Sequence, residues 1–282
     1  MTIESLINRG TLALKQGIIE QPRFEAELLL AFVLNCERVS LYTHSKDDVD
    51  AFREAHYMSL IDRRLKGEPY AYLTGTKEFM GLSFYVDSNV LIPRPDTECV
   101  VEAALKALPK KAKTVLDLCT GSGAIGIAIG RLRPDLSVTV TDISEEALTV
   151  AKKNAKRNGV NLRLIQSDLF EAVPETERFD LIISNPPYIP KADIQRLDRD
   201  VKDYEPLLAL DGGLDGFDFY RRMMPEAFDR LSPKGLLVLE CGYNQGKTLI
   251  DMAKAAGFTD VMLIRDLAGL QRGIIGIRPE FA

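Results

Sequence analysis

The sequence predicts an α/β fold, in which a mostly parallel, doubly wound sheet follows a small all-helical domain and a β-hairpin linker. Two patterns carry this expectation. Up to about residue 70, apolar side chains recur near the 3.6-residue helical period and no strand pattern intervenes. From Val90 onward, short apolar runs alternate with helical patterns, the arrangement of βαβ units feeding a parallel sheet. At 282 residues the chain also reaches the ~250–300 residues at which a single core stops growing. We therefore expect a helical domain over 1–75, a linker over 76–90 and a second domain over 91–282.

Each element has its own local signal. Ile3, Leu6, Ile7 and Leu14 mark a first helix, and Phe24, Leu28, Leu29, Phe32 and Val33 mark a second that starts at Pro22. A third is expected from about Asp47 to Lys66, stopped by Gly67. Lys77–Met80 and Ser83–Asp87 can pair as a hairpin across Gly81. Helices are expected over Asp96–Leu108, over Ser144–Asn158 closed by Gly159, and over Phe217–Leu231. Strands are expected at Thr114–Leu118, Ser137–Thr141, Arg163–Gln166, Asp180–Ser184, Leu236–Glu240, Val261–Ile264 and Gly273–Ile277. Only Arg265 to Arg272 separates the last two, too little for a crossover helix, so they should form an antiparallel pair at one edge.

Composition removes several classes of function. With 46% apolar residues and a net charge of −5, the chain can build a core and is not disordered. The acidic balance and the lack of a run of five like charges argue against direct nucleic-acid binding through phosphates. The longest apolar run, Leu28 to Leu34, is far short of the ~20 residues that span a bilayer, and the first residues lack a basic stretch followed by an apolar one. A cytoplasmic protein with no membrane contact is expected. The four cysteines form no C-x-x-C pair, which suits a reducing compartment, and His44 and His56 have neither metal-ligand spacing nor a triad partner. No metal is expected.

Two constellations carry chemistry. The first runs Asp117-Leu118-Cys119-Thr120-Gly121-Ser122-Gly123 from the first sheet strand into a helix, with Gly126 completing G-x-G-x-x-G. Glycines there let the chain turn tightly and present bare N–H groups to a ligand. Asp142, at the end of the next strand, is placed to accept hydrogen bonds from two ribose hydroxyls, so a nucleoside cofactor is indicated. A carboxylate at Asp117 is awkward beside a pyrophosphate but suits a cationic cofactor with a free amine, which describes S-adenosylmethionine. Asp168 could bind the adenine amine while Leu169 and Phe170 wall its ring. The alternatives are an NAD-dependent dehydrogenase, which rests on the glycines alone, and a helix cap or turn for Asp168.

The second constellation, Asn185-Pro186-Pro187-Tyr188, follows the fourth strand, which neighbours the first in a doubly wound sheet, so both loops face one crevice. Consecutive prolines stiffen the loop and leave the Asn side chain and Pro carbonyls as acceptors for a planar –NH₂ group, on which Tyr188 could stack. Positioning then does the work of a base. Arg94, between Pro93 and Pro95, either closes over cofactor or substrate or makes a surface salt bridge.

Asn-Pro-Pro-Tyr resembles the loop of the amino-methyltransferases. Gly67-Glu68-Pro69-Tyr70, Leu91-Ile92-Pro93-Arg94-Pro95-Asp96-Thr97-Glu98, Glu205-Pro206 with Leu210-Asp211-Gly212-Gly213, and Asp266-Leu267-Ala268-Gly269 narrow the resemblance to the PrmC/HemK family. The likeness covers about residues 1 to 280. It implies a Rossmann-like, seven-stranded class I methyltransferase domain. It also implies transfer of a methyl group from S-adenosylmethionine to the glutamine amide of the Gly-Gly-Gln motif of class 1 peptide-chain release factors, with S-adenosylhomocysteine as product. By the same likeness Asn185, Pro186, Pro187 and Tyr188 form the catalytic and substrate pocket; Arg94 is a further substrate candidate from its place on the stiff Pro-Arg-Pro segment alone. The cofactor falls to Asp117, Cys119, Thr120, Gly121, Ser122, Gly123, Asp142, Asp168, Leu169 and Asn185, and the helical domain holds the release factor. A monomer is expected. Cys119 stands where many relatives have glycine, and its φ is expected to be negative. Two further alternatives are an exocyclic-amine methyltransferase of DNA or RNA and a non-catalytic adaptor that binds release factors.

Overall fold

A computed structural model describes residues 1–281, which form two compact units. The first, Met1–Gly75 with Asp198–Tyr204, is helical: α1 (Ile3–Leu14), α2 (Pro22–Leu34), α3 (Arg38–Thr43), α4 (Ala51–Leu65) and α5 (Tyr70–Thr74). Thr2 caps α1 by accepting from the Ser5 N–H at 3.3 Å, Pro22 opens α2, and Asp50 caps α4 by accepting from Arg53 N at 2.9 Å. That cap starts α4 later than the expected Asp47, and the sequence reading missed the short α3, whose six residues show too little periodicity. Leu6, Leu14, Leu29, Leu30, Leu41, Leu60 and Ile61 close this core.

The second unit holds Thr76–Leu197 and the chain from Glu205 onward. Its elements are β1 (Thr76–Phe79), β2 (Leu82–Tyr85), α6 (Pro95–Ala107), β3 (Thr114–Leu118), α7 (Ala124–Leu132), β4 (Ser137–Asp142), α8 (Glu145–Asn158), β5 (Leu162–Gln166) and β6 (Phe179–Ser184). After α9 (Arg199–Lys202), which clusters with the first unit, come α10 (Asp218–Arg230), β7 (Leu231–Glu240), α11 (Gly246–Ala255), β8 (Thr259–Arg265) and β9 (Gln271–Ile277). Seven strands pair in the order β5-β4-β3-β6-β7-β9-β8, parallel except for β9, which runs antiparallel to both neighbours.

The near-continuous apolar strands follow from burial on both faces. Alternate residues serve opposite layers: Val115, Val138, Leu181 and Val238 pack with α6 and α7, whereas Leu116, Ile182 and Leu237 pack with α10 and α11. The 76–90 stretch is built into this core rather than standing apart as a linker. Met80 and Gly81 both take positive φ, as a two-residue hairpin turn needs, and Phe79 and Phe84 are buried edge-to-face with ring centres 6.1 Å apart. Asn154 of α8 ties the hairpin down, accepting from Tyr85 N at 2.7 Å and donating to Tyr85 O at 2.9 Å. Among the described residues no helix is long and apolar enough to cross a membrane.

Candidate active site

The carboxyl ends of β3, β4 and β6 converge on one cavity, lined by Cys119 to Ser122, Asp142 to Ser144, Ser167 to Leu169, Asn185 and Pro187. Across it stand Val90, Leu91, Pro93, Arg94, Thr97, Leu208, Phe219 and Arg222. The structure thus brings together most of the residues expected to bind the cofactor. Adjacent parallel strands β3 and β6 deliver the glycine loop and the Asn185 loop side by side.

The glycine loop is held from both sides. Thr120 N–H donates to Thr141 O at 2.9 Å, and Gly121 N–H donates to Asp142 Oδ2 at 2.8 Å. Asp142 Oδ1 also accepts from Ser144 N at 3.0 Å, so its carboxyl joins loop and helix while bordering the cavity. Burial pushes its pKa up, against those backbone N–H groups. Cys119 adopts φ of +56°, the opposite of the expected sign. The tight exit from β3 needs a left-handed residue there whatever its side chain, which is why glycine suits the position.

Asp117 and Gly123 lie behind the loop, not on the cavity wall. Asp117 is fully buried; its Oδ2 accepts from Thr120 Oγ1 at 2.6 Å and Gly126 N at 3.0 Å, while Oδ1 has no partner among the described residues. Desolvation raises its pKa to about 7. Its geometry braces the turn, in place of the contact with a cationic cofactor expected from sequence. Gly123 has φ of +81° and packs against Ala151, where a Cβ would lie 3.1 Å from that side chain.

Asp168 borders the cavity and accepts from Arg222 at 2.7 Å, a partner that sequence reading missed because it is 54 residues away. Leu169 lines the cavity, but Phe170 is fully buried in the core and does not wall it; Phe219 does. The donor set fits a nucleoside: two carboxylates to accept from hydroxyl and amine groups, a bare glycine at Gly121, and apolar walls.

In the second loop, Asn185 and Pro187 face the cavity, whereas Pro186 and Tyr188 do not border it. Asn185 Nδ2 donates to Thr97 Oγ1 of α6 at 3.4 Å. Tyr188 turns towards Glu240 at the end of β7 and is held by its carbonyl, which accepts from Gln245 Nε2 at 3.0 Å. Burial raises the pKa of its hydroxyl. Ile189 N–H donates to Leu210 O, and Gly212 N–H donates back to Ile189 O, which pins the loop. A Cβ at Gly212 would sit 2.7 Å from Tyr188 Cα, so only glycine allows this approach.

Arg94 does form a salt bridge, though not one between two exposed side chains. Its partner Glu205, whose side chain is 1% exposed, also accepts from Ile92 N at 3.1 Å, so one carboxylate fastens the 92–94 segment beside the cavity. Thr97, Glu205, Phe219, Arg222 and Glu240 are the site residues that sequence reasoning missed. Thr97 and Glu205 did stand in stretches singled out there.

The chain matches the family model described as "Methyltransferase small domain" over residues 99–201 and "PrmC N-terminal domain" over 5–75. It is 43% identical to a Geobacter sulfurreducens protein named release factor glutamine methyltransferase, over 95% of this chain and 93% of that one. A Moorella thermoacetica protein of the same name is 42% identical over 99% and 100%. Among solved structures, a methyltransferase from Pyrococcus furiosus aligns with a TM-score of 0.53 at 21% identity, covering 82% of this chain and 100% of that one. A Thermus thermophilus 16S rRNA N2 G1207 methyltransferase, solved with AdoMet and guanosine, aligns at 0.52 and 18%, covering 72% and 49%. These two likenesses concern the fold.

Proposed function

The chain belongs to the release factor glutamine methyltransferase family, and from that membership we propose that it methylates the glutamine side-chain amide of the Gly-Gly-Gln motif of class 1 release factors. It is an S-adenosylmethionine-dependent enzyme. The observation that carries the proposal for this chain's own residues is Asn185, whose Nδ2 is engaged by Thr97 while Oδ1 is left to accept at a cavity shared with the glycine loop.

The cofactor supplies a methyl group on a sulfonium centre. Cys119 to Ser122 and Asp142 would hold its amino acid and ribose parts, and Asp168, Leu169 and Phe219 its base. The target nitrogen is planar and poorly nucleophilic because its lone pair is delocalised into the carbonyl. Asn185 Oδ1 and a carbonyl of the proline pair accept its two N–H bonds, drawing the nitrogen towards tetrahedral geometry and aiming its lone pair. Stiff prolines keep these acceptors in place without a reorganisation cost. No strong base is required, because the amide gives up its proton only after the new N–C bond forms, when the cationic nitrogen is acidic enough to pass it to water. Residues 1–75 would hold the release factor, and the setting would be the cytoplasm, with the enzyme acting as a monomer.

The test is mass spectrometry of a purified release factor after incubation with this protein and S-adenosylmethionine. A one-methyl gain mapped to the glutamine of Gly-Gly-Gln supports the proposal. No gain, with cofactor binding verified by calorimetry, overturns it and favours an exocyclic nucleobase amine or an adaptor role.

A further inference from the structure

The Asn185 carboxamide offers a donor and an acceptor on two arms of one planar group, and a half-turn about its last torsion exchanges them with little change in shape. Only one orientation serves an –NH₂ methyl acceptor: Oδ1 must meet the N–H bonds, because Nδ2 there would set donor against donor. The proline pair that follows cannot make this choice, having no N–H to offer Oδ1. Thr97 can, since its Oγ1 accepts from Nδ2 at 3.4 Å. A hydroxyl, however, could serve either arm, so its own hydrogen must be committed elsewhere. Glu240 is the acceptor that stands beside it. This side chain is 2% exposed at the end of β7, Thr97 and Tyr188 both favour its ionised form, and its Oε2 is buried with no hydrogen-bond partner among the described residues. An ionised carboxyl only accepts, so a Thr97 hydroxyl that turns its hydrogen to Glu240 leaves its lone pair for Asn185.

We infer that Thr97, backed by Glu240, is a positioning residue that sets which way round the Asn185 amide faces the target nitrogen. The inference rests on the amide-methyltransferase function proposed above. Asn185 bonded to Thr97 of α6, and Thr97 beside Glu240 of β7, would then act in series, so two elements remote in sequence govern one torsion in the loop. Tyr188, at the far end of the loop, lies beside the same carboxyl.

The experiment compares Thr97→Val, Thr97→Ser and Glu240→Gln with the wild type on a full-length release factor. Readouts are kcat, KM, cofactor affinity by calorimetry and the pH profile of kcat. Thr97→Val, similar in shape but without the hydroxyl, should lower kcat about tenfold, the worth of one directing hydrogen bond, with KM and cofactor affinity within about twofold. Thr97→Ser should restore most of kcat. Equal kcat for wild type and Thr97→Val, or equal losses in the Val and Ser variants, would overturn the inference.

A second readout decides the matter if Thr97→Val binds cofactor poorly. Burial raises the Glu240 pKa to about 7, with Asp96, Thr97 and Cys99 of α6, Tyr188 of the loop, Cys241 beyond β7 and Arg272 of β9 around it. A protonated Glu240 can donate to Thr97 and free the Thr97 hydrogen for the wrong arm of Asn185. Wild-type kcat should therefore rise with pH through about 7, and Glu240→Gln should lose that inflection; an unaltered profile overturns the inference. Wild-type turnover on the same substrate is the control: its absence overturns the proposed function and the inference with it, whereas its presence leaves the variants to judge the inference alone.

Discussion

Replacing Arg94 with alanine removes the counter-charge of a carboxylate that water barely reaches. The Glu205 side chain is 1% exposed and Arg94 33%, so the pair straddles the edge of the second unit's interior. Breaking a fully buried pair costs about 3–5 kcal/mol, and solvent at the arginine end reduces this to about 2 kcal/mol. At ~2–4 °C per kcal/mol for a domain of roughly 200 residues, Tm should fall by about 4–8 °C. The assay is calorimetric unfolding of wild type, Arg94→Ala, Glu205→Gln and the double variant. The amide of Glu205→Gln still accepts from Ile92 N but carries no charge, so Arg94→Ala in that background should cost less than about 0.5 kcal/mol. A loss below about 1 °C for Arg94→Ala, or the same loss in both backgrounds, would refute the reasoning. Because Arg94 borders the cavity, KM should rise together with the loss of stability.

Asn185→Ala should keep cofactor affinity within about threefold while kcat falls at least ~100-fold, as expected when an acceptor acts on the reacting amide rather than on cofactor binding; steady-state kinetics with calorimetry check the split. Asp117 has a folded pKa of about 7 against a usual 3.8, so the native state binds that proton more tightly than the unfolded chain does. Its contribution to stability therefore falls as pH climbs from about 4 to about 7, and urea denaturation of Asp117→Asn should show a flatter stability profile over that window. Gly126→Ala would place a Cβ 2.7 Å from Val140 Cγ1 and 3.2 Å from Asp117 Oδ2, forcing helix α7 off the sheet; a loss of about 1–3 kcal/mol and weaker cofactor binding should follow in denaturation and calorimetry.

The strands were legible because their signals are local. A buried parallel strand reads as an apolar run, and a helix such as Glu145–Asn158 announces itself through Ser144, whose Oγ accepts from Ala147 N at 3.0 Å, and through Gly159 at φ of +65°. The edge pair β8 and β9 was readable from the shortness of its connection alone. Where the local signal is weak the reading failed, as at the six-residue α3.

By itself the sequence determined the order of the sheet strands and of the longer helices, the glycine loop, the proline-stiffened Asn185 loop and their convergence at one crevice, since each follows from chain-local stereochemistry or from the topology of parallel sheets. Only the tertiary structure decided which side chains face the cavity. Asn185 and Pro187 do while Pro186 and Tyr188 do not, and Asp117 braces the loop from beneath it. It also supplied the partners, Thr97 for Asn185 across 88 residues and Glu205 for Arg94 across 111. Such contacts depend on where packing brings distant elements to rest, and no spacing along the chain encodes them.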